Sequence, residues 1–293
     1  MKKYSYTIGI PTRRRQTCIQ TVLECIGKQT IQPNAVIIVE QEENHGKEYQ
    51  LIAKKHGLPL TYIYRQIANT PAARNEILRN TQTPIILFLD DDSEPAPLWA
   101  ATMCARFDDA TIGGCVGRSE TIDQPIEVSR TDTGRVTWLG TVRDGFSSTV
   151  AQDVDTVIGC NAGFSTDVIR KLGGFDEHYT GNAMREETDM SLRVREAGYR
   201  IVFEPGAYVF HRRYEHGGAR KVDDRIAWYF HFFSNETYFF LKHRNPVLLP
   251  IFLLTKWEWI LRCMFGFGRE VSLRSIVTPI HGIMHGVWKR IHI

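Results

Sequence analysis

Four short apolar runs open the chain, each separated from the next by an amphipathic stretch. Tyr4 to Ile10, Ala35 to Val39, Leu60 to Tyr64 and Ile85 to Leu89 read as strands, because β-branched and aromatic residues run together over strand-like lengths. Between them, Thr17 to Lys28 carries Ile19, Val22, Leu23 and Ile26 at a helical period. Lys47 to His56 stops at Gly57, and Pro71 to Asn80 begins with proline at a first helical position. A βαβαβαβ chain has few ways to fold. Parallel neighbours need long crossovers, and the crossover helices then cover both sheet faces. The expected class is therefore α/β, with a mainly parallel sheet flanked by helices. In such sheets ligands bind beyond the carboxyl ends of the strands. Residues just after each apolar run are the first functional candidates.

After the fourth run come Asp90, Asp91 and Asp92, in "FLDDDSEP". Three adjacent acids without a Lys or Arg among them need a compensating cation, or they form an acidic turn. Carboxylates spaced Asp-x-Asp can converge on Mg²⁺ or Mn²⁺, which keep waters and substrate phosphates as further ligands. Taken alone the motif is weak, since acidic turns after strands are common. "NTPAARN" precedes the same strand, and its Arg74 suits a phosphate or carboxylate, or else simply solvent.

The pattern changes from Gly113. "GGCVGRSET" suggests another strand, and residues 119 to 153 read as a long polar excursion. "REETD" then gathers Glu186, Glu187 and Asp189 at a helix start, with Arg193 and Arg195 downstream and Gly198 as the stop. Packed carboxylates raise one pKa, as a general base requires, although ordinary helix-terminal charge explains them equally. Arg200 to Phe203 and Ala207 to Phe210 are expected as two strands around a Glu204-Pro205-Gly206 turn. His211 follows, as a candidate metal ligand beside Asp92 or a surface histidine. "HGGARK" brings Arg220 and Lys221 on a glycine-rich segment that could cover a diphosphate or serve as a linker.

The last stretch is aromatic and basic. "WYFHFFSNETYFFLKHR" and "PVLLPIFLLTKWEWILRCMFGFGR" contain no apolar run approaching the roughly 20 residues of a membrane span. They read as helices lying on a membrane surface or packed on the preceding domain. The net charge of +3 gives no case for nucleic acid. The six cysteines form no CxxC pair, and "MKKYSYTIGIPT" lacks a secretory pattern, so a cytoplasmic location is expected, with peripheral contact to the inner membrane face as an option.

Taken in order, "IPTRRR", "VIIVE", "NTPAARN", "FLDDD", "GCNAGFSTDVIRKLGGFDE", "EETDMSLRVREAGY" and a strand-terminal histidine resemble the family 2 glycosyltransferases of GT-A fold over roughly residues 4 to 212. The resemblance implies a catalytic domain at 1–222, with a nucleotide-sugar half to about 117 and an acceptor half beyond, followed by a helical extension at 223–293. It implies an inverting transfer from a nucleotide-diphosphate sugar to a hydroxyl, with Mn²⁺ or Mg²⁺, and the aromatic tail points to a glycan or lipid-linked acceptor in cell-surface polysaccharide assembly. By that resemblance Pro11, Thr12, Arg14, Glu40, Asn69, Arg74, Asp90, Asp91 and Arg220 hold the donor. Gly163, Gly174 and Asp176 shape the sugar and acceptor pocket, and Asp92 and His211 hold the metal. Glu187 is the base, with Glu186 and Asp189 as alternates. Within the triple acid, Asp91 is expected to act mainly as a spacer. Glu40 and Glu187 stand where the family usually has aspartate. A nucleotidyltransferase is the rival enzyme class, but "IPTRRRQ" lacks its glycine-rich phosphate loop. A non-catalytic nucleotide-sugar binding module is the other alternative, and the concentrated carboxylates speak against it.

Overall fold

The computed structural model describes residues 4–121, 126–212, 218, 225–265 and 272–293. The chain runs β1 (Tyr6–Arg13), α1 (Gln16–Gly27), β2 (Ala35–Gln41), α2 (Gly46–Lys55), β3 (Leu60–Arg65), α3 (Thr70–Asn80), β4 (Ile85–Leu89), β5 (Ser93–Pro95), α4 (Trp99–Arg106) and β6 (Ile112–Glu120). It continues with β7 (Arg135–Val136), β8 (Val142–Arg143), β9 (Gln152–Asp153), β10 (Asn161–Ser165), α5 (Thr166–Lys171), α6 (Glu186–Glu196) and β11 (Arg200–His211). The C-terminal part is α7 (Arg225–His243), a 3₁₀ turn (Pro246–Leu248), α8 (Leu249–Leu254), α9 (Trp257–Phe265) and α10 (Leu273–His292).

A nine-stranded sheet has the order β3-β2-β1-β4-β10-β6-β11-β5, with β9 added against β11. Strands β1 to β4, β6 and β11 run one way, while β10, β5 and β9 run against them. Alternation along β4 explains its unbroken apolar run. Ile85, Leu87 and Leu89 enter the core under α1 and α4, and Ile86 and Phe88 enter the opposite core with Ile77, Phe164 and Phe175. The chain steps from β1 to β2 and β3 on one side, then returns to place β4 on the other side of β1. That reversal opens a crevice between the carboxyl ends of β1 and β4.

Two sequence expectations change here. Residues 200 to 211 form one strand, not two around a turn. Both halves pair parallel with β6, and a register shift between Glu204 and Val209 absorbs Pro205 and Gly206 as a bulge. The Asn161 amide bridges it, donating to the carbonyls of Arg118 and Ala207 at 3.0 Å each. The 119–153 excursion is also more ordered than its polarity suggests. It contains the β7–β8 hairpin and β9, and Phe146 packs edge-on against Phe203 in the core.

Helix α7 fastens the C-terminal helices to the domain through buried polar contacts. Glu236 pairs with Arg185 at 2.8 Å and with Lys256 at 2.8 Å. Lys242 reaches Asp176 at 2.6 Å and Asp189 at 2.8 Å. No helix among the described residues is long and apolar enough to cross a membrane.

Candidate active site

A cleft of about 410 Å³ lies at that crevice. Its walls include Pro11 and Thr12 from β1, Arg74 from α3, Asp90 to Asp92 after β4, Glu186 and Glu187 at the start of α6, and His211 at the end of β11. The topology brings the last of these in. Antiparallel pairing of β5 with β11 sets Ser93 opposite His211, so the histidine lands beside Asp92.

Ligand atoms of Asp90, Asp92 and His211 all lie within 4.8 Å of one another. His211 Nε2 is 3.0 Å from Asp92 Oδ1, but their alignment makes no hydrogen bond, and this buried oxygen has no other partner. Burial opposes charge on both groups. The Cys160 sulfur and the Asp92 carboxylate nevertheless push His211 up to about 11, and His211 with Arg15 holds Asp92 below the usual carboxylate range. A buried carboxylate oxygen without an aligned donor, next to an imidazole and a half-exposed Asp90, is a donor set suited to Mn²⁺ or Mg²⁺.

Asp91 is not a spacer. It is buried, receives Thr12 Oγ1 at 2.7 Å and Arg15 Nη1 at 2.8 Å, and burial pushes it up to about 6 against the pull of Arg15. The same Arg15 nitrogen donates to Asp92 Oδ2 at 2.7 Å. Arg15 therefore supplies part of the positive charge that the triple acid demands.

On the facing wall, Arg74 is buried. Its Nε donates to Glu186 Oε1 at 2.8 Å, and its guanidinium lies 5.0 Å from the centre of the Phe88 ring. Nη2 is 3.8 Å from Asp90 Oδ1. Burial raises Glu186 well above a normal carboxylate despite this pairing. Glu187 is half-buried and faces the cleft. Gly159 makes room for it, since a Cβ there would lie 2.4 Å from both Glu187 Oε1 and Arg74 Nη2. Just before α6, Ala183 and Arg185 adopt left-handed backbone angles, φ 49° and 78°. Such conformations cost on the order of 1–3 kcal/mol each and persist only where the surroundings impose them. Here Arg185 is held by Glu236 of α7.

Other expected residues lie elsewhere. Arg14 has φ 54° and turns out to Glu42, 2.9 Å away. That left-handed residue breaks the strand alternation and aims Arg15 inward, so Arg15 rather than the expected Arg14 lines the cleft. Glu40 is fully buried and accepts from the His45 ring and backbone at 2.6 and 2.7 Å, Tyr49 at 3.0 Å and Tyr62 at 2.6 Å. Its neighbour Gln41 lines the cleft instead. Asn69 caps α3, accepting from the Ala72 amide at 2.8 Å, and leaves Thr70 at the cleft. Gly163 sits inside the sheet against Leu87 and Met103, and Gly174 backs onto Asn75. Asp176 is bound by Lys242 and Tyr238, and Asp189 by Arg193, Lys242 and His243. Both of these carboxylates hold α7 rather than line the cleft. Arg220 and Lys221 lie outside the described residues. Sequence reasoning missed Arg15, Gln41, Asn182 and Ala183. Arg15 carried a signal, as the last arginine of "TRRR" before a helix.

The sequence model described as glycosyl transferase family 2 matches residues 7–173, more than half of the chain. The protein belongs to glycosyl transferase family 2. Among curated relatives, the pre-mycofactocin glycosyltransferase of Mycobacterium tuberculosis is 28% identical over 153 residues. That match covers 48% of this chain and 29% of the relative, so this family 2 chain spans under a third of it. The mannosyltransferase PcManGT from Pyrobaculum calidifontis, in complex with GDP-Man and Mn²⁺, superposes with TM-score 0.59 at 16% identity, over 100% of this chain and 88% of that one. S. aureus TarS 1–349 superposes with TM-score 0.64 at 14% identity, over 98% and 82%. The same TarS fragment in complex with UDP-GlcNAc gives 0.58. At these identities the likeness concerns the fold, which is GT-A.

Proposed function

We propose that this family 2 glycosyltransferase moves a sugar from a nucleotide-diphosphate donor to an acceptor hydroxyl, with inversion at the anomeric carbon. The observation that carries the reading is the division of the cleft into two facing walls. Asp90, Asp92 and His211 form one, and Glu187 beside the Arg74–Glu186 pair forms the other. Solved structures of the same fold that bind GDP-Man with Mn²⁺, or UDP-GlcNAc, support a nucleotide-sugar on the first wall.

Asp92 and His211, with Asp90, would hold Mn²⁺ or Mg²⁺, and such an ion, when bound, neutralises charge on a departing diphosphate. Arg15 adds a fixed positive charge on the same side. Glu187 is the base. It accepts the acceptor hydroxyl proton as the oxygen attacks, and Arg74 keeps its carboxylate oriented. Glu186 is committed to Arg74 and buried, and Asp189 to α7, which leaves Glu187, half-buried in the cleft lining, as the carboxylate of "REETD" for this role. The acceptor is a glycan or lipid-linked hydroxyl of cell-surface polysaccharide assembly, a reading supported by the exposed aromatic C-terminal helices.

A panel of nucleotide-sugars, assayed for Mn²⁺-dependent donor hydrolysis and thermal shift, tests this. Donor with Mn²⁺ raises Tm by mass action. Asp92→Ala stays folded and loses Mn²⁺-dependent turnover. Wild-type turnover in Asp92→Ala, or hydrolysis indifferent to chelation, refutes the metal wall.

A further inference from the structure

Helix α10 leaves most of its apolar side chains in solvent. An ordinary surface helix buries its apolar stripe and exposes its polar face. Here the buried positions are Ser275, Thr278, Pro279, Gly282, Gly286 and Lys289, mostly small or polar, with Ile283 and Val287 partly buried against the aromatic side chains of α7. The two glycines let the backbones approach closely. A Cβ at Gly282 would lie 2.7 Å from the Phe230 carbonyl, and one at Gly286 2.5 Å from that of Ser234. The opposite face carries Leu273, Ile276, Ile280, Met284, Trp288 and Ile291 at helical spacing, between 39% and 76% exposed. Helix α9 packs Trp259, Ile260 and Cys263 on α7 and also leaves Trp257, Leu261 and Phe265 exposed at four-residue intervals.

We propose that these faces of α9 and α10 dock the protein onto an anionic lipid bilayer, lying in the interface rather than crossing it. Three features select this occupant. Among the described residues of α9 and α10 the exposed charged side chains are Arg262, Arg274 and Arg290 against Glu258, a net positive charge that anionic headgroups complement. Arg262, Arg274 and Arg290 are exposed on the same two helices as Trp257 and Trp288, the residue types that sit at a headgroup boundary. A two-fold contact with a second copy would instead set the basic face against itself.

The docked face reaches the cleft through one helix. α7 carries α10 on one side, and on the other its Trp228 carbonyl accepts from Asn182 of the cleft wall at 3.1 Å. A bilayer under α10 therefore holds the cleft rim at the membrane, which suits a lipid-linked acceptor. This last clause rests on the proposed transfer reaction, whereas the docking itself does not.

The test is co-sedimentation of the full chain with phosphatidylcholine vesicles, with and without phosphatidylglycerol. Binding is expected to phosphatidylglycerol vesicles and to weaken with salt. The double variant Ile280→Asp/Met284→Asp loses it. Arg274→Glu weakens it roughly tenfold or more, because each basic residue near the surface is worth about fivefold. All three sites are solvent-facing, so circular dichroism and donor hydrolysis in vesicle-free solution stay at wild-type levels. Failure to bind phosphatidylglycerol vesicles, or binding indifferent to the double variant, overturns the proposal. So does a dimer in sedimentation velocity that the double variant dissolves, since the face would then belong to a second copy. Donor hydrolysis read in parallel keeps a failed membrane site distinct from a failed transferase.

Discussion

Replacing Glu236 by glutamine removes one buried negative charge from between two buried cations. Arg185 Nε and Lys256 Nζ each lie 2.8 Å from its carboxylate, and the Glu236 side chain is only 2% exposed. Glutamine keeps the shape but leaves Arg185 and Lys256 without their anion. Breaking a buried pair in this way costs about 3–5 kcal/mol. At about 2 °C per kcal/mol for a chain of this size, Tm at neutral pH falls by roughly 6–10 °C. The pH dependence has a definite sign. Burial opposes the charge on Glu236, but Arg185 and Lys256 outweigh it and hold the carboxyl below its ordinary value. Its stabilisation is present above the unfolded carboxylate pKa of about 4.3 and fades as pH falls through the lower folded value. The deficit of the variant therefore shrinks in acid. Thermal melts by circular dichroism across the acid limb measure both effects. Because Arg185 also fixes the left-handed approach to Glu186 and Glu187, kcat falls more than donor KM rises. A Tm within about 2 °C of wild type at neutral pH, or a deficit undiminished in strong acid, refutes the reasoning.

Other substitutions separate the roles within "REETD". Glu187→Gln retains Tm and donor binding and loses transfer, whereas Asp189→Asn lowers Tm by several degrees through Lys242 and His243 and keeps measurable turnover. The reverse pattern in paired melts and rates would exchange their assignments. Gly159→Ala forces a methyl to within 2.4 Å of Glu187 Oε1 and Arg74 Nη2. Turnover is expected to drop on the order of 100-fold, as for other displaced reacting groups, with stability little changed. Unaltered kcat in that variant means that Glu187 does not act from its present position.

β2 and β4 were legible because burial on both faces writes itself into the sequence as unbroken apolar runs, and β1 and the edge strand β3 because β-branched and aromatic residues cluster there. The acidic turn was legible because it follows such a run directly. What the sequence hid depends on single backbone angles and distant partners. Nothing local marks Arg14 as left-handed, yet that angle decides whether Arg14 or Arg15 faces Asp91. Glu40 reads as a strand-end ligand until β3 supplies Tyr62 and α2 supplies Tyr49. Asp189 looks equivalent to Glu187 until α7, more than 50 residues later, delivers Lys242 and His243. The bulge in β11 was misread as a reversal because Pro205-Gly206 is a turn signal by composition, and only the partner strand reveals that direction is kept.

The reach of Lys289 has a consequence for biosynthesis. Its ammonium is buried and donates to the His178 carbonyl at 2.7 Å and to Asn235 Oδ1 at 3.2 Å. It thus ties the last turns of α10 to the segment leading into α6. At the roughly 5–20 residues per second of translation, the sheet and the acidic turn emerge many seconds before this lysine does. A nascent chain therefore exposes a nearly complete wall of Asp90, Asp92 and His211 while the opposite wall still lacks one of its ties. The facing carboxylates acquire their final setting only once nearly the whole described chain has left the ribosome.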